Sequence, residues 1–339
     1  MSKYLSINEN TKIYVLCPAN LKTGGTELLH QLVYALNSIG REAYVSYYYE
    51  GKFNREDPTP DAFKKYVNGR QSSIDTIVDE EINIIVFPEV CIGKQKKFRK
   101  VQKCVWWLSV DNYKETKGKV NRLKKYGVLS FLKHLLLDDY VSLKDVKSIH
   151  THLYQSFFAL DFIKSLGIDE DQTAYLSDYL NDIYIDQTPS KDGREDIVIY
   201  NPKKGKEFTE KIIKSSNEIK YVPIINMTNS QVYELMHRVK VYIDFGNHPG
   251  KDRIPREAAM CGCCIITGKR GSAGYSKDVP IPETFKFDDT DDNIGAIVRQ
   301  IKKCICEYNN SFKEFDNYRM IISNEKDRFE KDVRNIFES

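Results

Sequence analysis

Ile13-Tyr-Val-Leu-Cys-Pro18 is an apolar run closed by proline, and the stretch after it, Ala19-Asn-Leu-Lys-Thr-Gly-Gly-Thr26, is polar with two adjacent glycines. The first reads as a buried parallel strand and the second as a loop. Leu28, Leu29, Leu32, Val33 and Leu36 then share one helical face, and Gly40 stands where that helix should close. Ala43-Tyr-Val-Ser-Tyr-Tyr48 returns to a strand pattern. Strand, glycine loop, helix, strand is a βαβ unit, the opening of a doubly wound α/β sheet.

Working outward, residues 51–73 are polar and Pro-containing, a loop with a helix in it. Ile82–Phe87, Val105–Val110, Ser148–Tyr154 and Thr173–Leu176 are further strand candidates. A polar linker, Gln187-Thr-Pro-Ser-Lys-Asp-Gly-Arg-Glu195, breaks the composition, and the alternation restarts behind it. Strands are expected at Asp196–Tyr200, Ile219–Ile225, Val241–Phe245 and Cys264–Thr267, with helices at Glu207–Ser215, Ser230–Val239, Pro255–Cys261 and Asn293–Tyr308. The expected architecture is two Rossmann-like α/β domains facing a cleft. Residues 1–186 form the first, 187–310 the second, and 311–339 a terminal helix that packs back on the first.

Composition agrees. The 339 residues are 41% hydrophobic and carry 51 Lys+Arg against 48 Asp+Glu, a net charge of +3. That balance excludes a histone-like coat for polyanions and an acidic disordered chain. Apolar runs are far shorter than the roughly 20 residues that span a bilayer, and the first residues have no signal-peptide pattern, so a cytoplasmic protein is expected. The eight cysteines lack metal-finger spacing, and Cys263-Cys264-Ile-Ile reads as a buried strand. No structural metal and no cofactor are expected.

The richest stretch is His248-Pro-Gly-Lys-Asp-Arg-Ile-Pro-Arg-Glu-Ala-Ala-Met-Cys-Gly-Cys-Cys-Ile-Ile266. Pro255 is placed to start a helix with Glu257 in its first turn. Backbone amides at that terminus, with Gly250, Lys251, Arg253 and Arg256 around them, make an anion site of phosphate grade. A carboxylate beside such a site suits a ribose diol, and the combination points to a nucleotide. Here the chain resembles a family: Pro255–Ile266 looks like the P-x-E-A-x-x-x-G-x-P-V-I stretch of GT-B-fold glycosyltransferases of the family-4 type, with Cys264 in place of the proline. The resemblance implies that Glu257 holds the donor ribose. It likens Gly24-Gly25-Thr26-Glu27 to the family's glycine loop, and Tyr200-Asn201-Pro-Lys203-Lys204-Gly205 to its diphosphate-contacting segment. The family's second glutamate, eight positions before the first, is Pro249 here, and Asn247, His248 or Asp244 stands in for it.

The implied activity is transfer of a sugar from a nucleotide-activated donor to a glycan or lipid-linked acceptor, in bacterial surface polysaccharide or glycolipid synthesis. Asp111, after the Trp106-Trp107 strand, is the candidate base for an inverting reaction, and His248 is a second catalytic candidate. An epimerase of the same fold and a non-catalytic binding module of the same fold are the competing readings. Asp289-Thr-Asp291 matches a D-x-D metal pattern but reads as a surface loop and helix cap. His150 and His152 alternate on a strand and so would face one side. Two basic stretches, 94–103 and 114–125, flank the tryptophans, and an apolar stretch, 126–137, follows. They suit an anionic membrane surface better than nucleic acid, for which no module is present, and a solvated face with a core helix equally well.

Overall fold

The computed structural model describes residues 5–49, 56–116, 141–186 and 188–338. The basic stretch beyond Thr116 and the apolar stretch 126–137 lie outside them. The chain divides into two compact units, one of Met1–Gln155, Ala159–Asp178 and Asp327–Ser339, the other of Ser156–Phe158 and Tyr179–Lys326.

Along the first unit run β1 (Lys12–Pro18), α1 (Gly24–Ser38), β2 (Glu42–Tyr48), α2 (Lys64–Val67), β3 (Gln71–Ser73), β4 (Ile84–Pro88), β5 (Gln102–Trp107), α3 (Val110–Thr116), α4 (Leu143–Lys147), β6 (Thr151–Tyr154), α5 (Phe157–Ser165) and β7 (Thr173–Tyr175). The strands make one parallel sheet in the order β3-β2-β1-β4-β5-β6-β7. β1 is interior: Val15 pairs with Val45 on one side and Val86 on the other, and Ile13 to Cys17 are fully or almost fully buried. A strand covered on both faces needs an unbroken apolar run, which is what the sequence shows there. α1 buries the expected leucines, and Gly40, at φ 83°, follows its end. β5 stops at Trp107, short of the expected Val110, because the next amide, Leu108 N, donates to the Glu89 carboxylate at 3.0 Å instead of to a sheet neighbour.

The second unit continues with α6 (Asp182–Ile185), β8 (Glu195–Tyr200), α7 (Lys206–Lys214), β9 (Lys220–Pro223), α8 (Asn229–Arg238), β10 (Val239–Asp244), α9 (Arg253–Met260), β11 (Cys264–Gly268), β12 (Lys286–Phe287), α10 (Ile294–Cys306), α11 (Tyr308–Lys313) and α12 (Asp316–Ser323), and the chain ends in α13 (Glu325–Phe337), which from Asp327 on belongs to the first unit. Its parallel sheet runs β12-β11-β10-β8-β9.

The division differs from the one expected at 187 and 311. Leu180, Tyr184 and Ile185 come before the polar linker yet pack in the second core, as do Phe312, Phe315, Tyr318 and Ile322 after residue 311. Only the last helix returns: Phe329 stacks on Trp106 with centroids 6.4 Å apart, and Asp332 accepts the Ser177 amide at 3.1 Å. The linker itself hides a staple. Arg194 is buried, and its guanidinium donates to the carbonyls of Ser190, Met236, Val239 and Cys261. Gly262, at φ 94°, lies so close to that guanidinium that a Cβ would stand 2.3 Å from it.

Candidate functional site

In an open parallel sheet the crevice for a ligand lies beyond the strand carboxyl ends, where successive connections run in opposite directions. In the second unit that point falls between β8 and β10, since β9 lies on one side of β8 and β10 on the other. The loops leaving these two strands touch glycine to glycine. Gly205, left-handed at φ 58°, caps α7, and a Cβ on it would sit 2.3 Å from the Phe245 carbonyl oxygen. A Cβ on Gly246 would sit 2.3 Å from Cβ of Lys204. Neither position tolerates a side chain, because the other loop fills the space, so the floor at the switch point is two loops packed closely on each other.

Beside these loops lie Asp244, His248, Asp252 and Lys204. Asp244 ends β10 buried, accepting from Tyr242 Oη at 2.8 Å and the Gly246 amide at 2.9 Å. The His248 ring is fully buried between two carboxylates, with Nε2 3.5 Å from Asp244 Oδ1 and Nδ1 3.5 Å from Asp252 Oδ2. Burial alone would raise the Asp244 pKa, but His248, with Tyr242 and the Gly246 amide, outweighs it and holds the carboxyl below its ordinary value. Asp252 also takes the Lys204 ammonium. The loop is strapped down from the far side: Ser272 N donates to His248 O at 2.9 Å and Ser272 Oγ to Gly250 O at 2.5 Å. Among the described residues, Asp244, His248 and Asp252 are the group that brings three possible metal ligands within 4.8 Å.

α9 corrects the sequence reading in three ways. It begins at Arg253, so Pro255 is its third residue and Glu257 lies in the second turn. Asp252, its N-cap, makes no side-chain bond to the helix amides, because its carboxylate serves Lys204 and His248. Finally, the surrounding cations are already engaged. Arg256 is buried against Glu325 at 2.6 Å, Lys251 reaches the other oxygen of Glu325 at 2.7 Å, and Arg253 donates to Tyr179 O at 3.4 Å. Arg253, Ile254 and Glu257 form the partly open face of the helix, while Pro255, Arg256 and Ala258 to Met260 form its buried one. In the β8–α7 loop, the Asn201 side chain accepts the Lys203 amide at 3.0 Å, and Lys203 is exposed.

The first unit holds the remaining candidates. Gly24, Gly25 and Thr26 are the first turn of α1 rather than a loop, and Thr23 and Thr26 close a capping box. Gly25 has only ordinary contacts around a Cβ position, nearest Leu108 at 3.7 Å, so packing alone does not demand glycine there. Asp111 is the second residue of α3. Beside it is a residue sequence reasoning missed. Glu89, just past β4, is buried, and burial pushes its carboxyl up to about 7 although the Leu108 amide and Asn112 bond to it. The signal was a lone acid inside an apolar run, Phe87-Pro-Glu-Val-Cys-Ile92, directly behind a buried strand.

The other sequence candidates separate. His152 is core, stacked on Trp107 and accepting its indole N–H at 3.1 Å, whereas His150 is exposed and precedes β6, so the two share no face. Asp289 pairs with Arg270 and Asp291 with Lys211, so the D-x-D carboxylates diverge. Within 94–103, Lys94 lies over the Tyr48 ring, Lys96 pairs with Asp145 and Lys97 with Asp75. Arg99, Lys100 and Lys103 instead line a hollow of about 820 Å³ at the amino ends of β4 and β5, with Leu5, Ile82 and His150. No helix among the described residues is long and apolar enough to cross a membrane.

No family model and no curated protein matches the sequence. Solved structures do. Sucrose-phosphate synthase from Thermosynechococcus elongatus superposes with a TM-score of 0.61 at 12% identity, over 97% of this chain and 95% of that one. Anabaena HepE in complex with UDP-glucose gives 0.61 at 11%, over 95% and 98%. WaaG, a glycosyltransferase involved in lipopolysaccharide biosynthesis, gives 0.54 at 12%, over 97% and 100%. The likeness is one of fold: two Rossmann-like α/β domains, the GT-B arrangement of glycosyltransferases.

Proposed function

We propose that the chain is a glycosyltransferase that moves a sugar from a nucleoside-diphosphate donor to a hydroxyl of a glycan or lipid-linked acceptor. The donor binds in the second unit, and the acceptor is received by the first. One observation carries this reading: at the switch point of the second sheet, the two glycine loops close on each other, and Lys204 from one of them pairs with the N-cap of α9, with Glu257 one turn further along. Backbone amides and the cations Lys203 and Lys204 receive the diphosphate. Glu257, on the open face of α9, accepts from the ribose diol. The bond from the sugar's anomeric carbon to the phosphate oxygen breaks, a bond to the acceptor oxygen forms, and the acceptor loses a proton. Lys203 and Lys204 stabilise the charge that grows on the leaving diphosphate. Asp111, in the acceptor unit, takes the proton if the anomeric configuration inverts.

HepE was solved with UDP-glucose, which makes UDP the first probe. Titration calorimetry with UDP is expected to show binding, and Glu257→Ala to weaken it by on the order of 1.5–3 kcal/mol through loss of charge-assisted hydrogen bonds. Equal UDP affinity in a folded Glu257→Ala variant would remove the donor-site assignment.

A further inference from the structure

We infer that His248 is a positioning residue, a fixed post that holds Asp252 and, through Asp252, sets the ammonium of Lys204 at the mouth of the donor crevice. The chain of contacts is continuous. It starts at buried Asp244, passes through both ring nitrogens of His248 to Asp252, and ends on Lys204. The start is immobile, because Asp244 is tied to Tyr242 and to the Gly246 amide in the loop directly after β10. The post is immobile too. His248 pairs with Gly271 as an isolated parallel bridge, and a Cβ on Gly271 would stand 2.0 Å from the His248 carbonyl oxygen.

The ring nitrogens lie 3.5 Å from the carboxylate oxygens, a separation of ion pairs rather than of short hydrogen bonds. The buried ring is a spacer that fixes the distance between the two carboxylates, and Lys204 offsets the charge of Asp252, where an unpaired acid would repel a diphosphate. The arrangement also explains the uncapped first turn of α9. Asp252 is the helix N-cap by position, yet the pull of His248 and Lys204 keeps its carboxylate off the amides.

The functional half of this inference rests on the reading of Lys204 as a phosphate contact, and the test separates the two. Lys204 is partly exposed beside exposed Lys203, so acetic anhydride labelling followed by fragment mass spectrometry reports on Lys204 with Lys203 as internal reference. No nucleotide is needed. In the wild-type chain Lys204 should label slowly. His248→Ala should speed it about tenfold relative to Lys203, because Asp252 loses its post and its hold on the ammonium. His248→Gln, whose amide still reaches a carboxylate, should restore part of the protection. Asp252→Asn, which removes the partner of Lys204 itself, should abolish it and covers the case in which His248→Ala fails to fold.

Unchanged Lys204 labelling in folded His248→Ala and His248→Gln chains overturns the clamp. So does a stoichiometric acceleration of Lys204 labelling by Mn2+ or Zn2+ alone, since an ion seated on these ligands would make the cluster a metal site. UDP affinity is the second readout. His248→Ala and Lys204→Ala should each raise the UDP Kd about tenfold, and the double variant should be no weaker than Lys204→Ala alone. Absence of UDP binding by the wild-type chain would sink the donor reading and leave the labelling result standing.

Discussion

Glu89 is a carboxylic acid caught near its titration midpoint at neutral pH. Its carboxyl is pushed up to about 7 from an ordinary 4.5 because burial outweighs the amide and Asn112 bonds made to it. Between those values the folded chain keeps a proton that the unfolded chain has released. Stability is therefore greatest below the unfolded value and falls as pH rises to about 7, by on the order of 3 kcal/mol from this one group. Asp278, raised to about 6 by burial while it accepts the Phe157 and Phe158 amides, pulls in the same direction over a narrower window. Glu89→Gln keeps an acceptor for Leu108 N and cannot ionise. Urea unfolding at pH 5 and pH 7.5 should show the variant gaining on the wild-type chain as pH rises. A difference that is the same at both pH values would show that Glu89 titrates normally.

At the scale of elements, the strands that run buried through each sheet were readable, because a strand covered on both faces must be apolar throughout. β1, β8 and β11 appear within a residue or two of their expected places. What escaped were edge strands such as β3 and β12, too short and too polar to announce themselves. The start of α9 escaped as well, since proline is tolerated throughout a helix's first turn and does not mark its first residue. The candidate site was legible in its residues and not in their partners. No local pattern foretells that Arg256 and Lys251 meet Glu325, some seventy positions away in the chain. The basic stretch 94–103 shows the same limit. Charge alone suggested one membrane face, yet Lys94, Lys96 and Lys97 have aromatic or acidic partners, and Arg99, Lys100 and Lys103 stay around the hollow. If a lipid-linked acceptor brings this protein to an anionic surface, those three carry the attraction, at about 1 kcal/mol each. Anionic vesicles should then pellet the protein at low salt, with release at high salt and in the Arg99→Ser, Lys100→Ser, Lys103→Ser variant. Pelleting indifferent to salt and to the triple change would exclude this surface.

For the whole molecule, the second unit depends on residues outside its central stretch. Leu180 and Tyr184 precede residue 187, and Phe312, Phe315, Tyr318 and Ile322 follow residue 310, yet all pack in its core. Glu325 anchors both Lys251 and Arg256. A fragment of residues 187–310 should therefore show no cooperative thermal unfolding by circular dichroism, while residues 179–326 should melt as a unit. Matching cooperative melts for both fragments would show that those flanking side chains are dispensable. The return of the last helix has a consequence in time. On the ribosome all seven strands of the first sheet have been made once Tyr175 is added. Phe329, which covers Trp106, follows about 150 residues later, about 8–30 s at ordinary translation speeds. Through that interval an indole destined for full burial waits without its lid, so the first unit to be synthesised is the last to be finished.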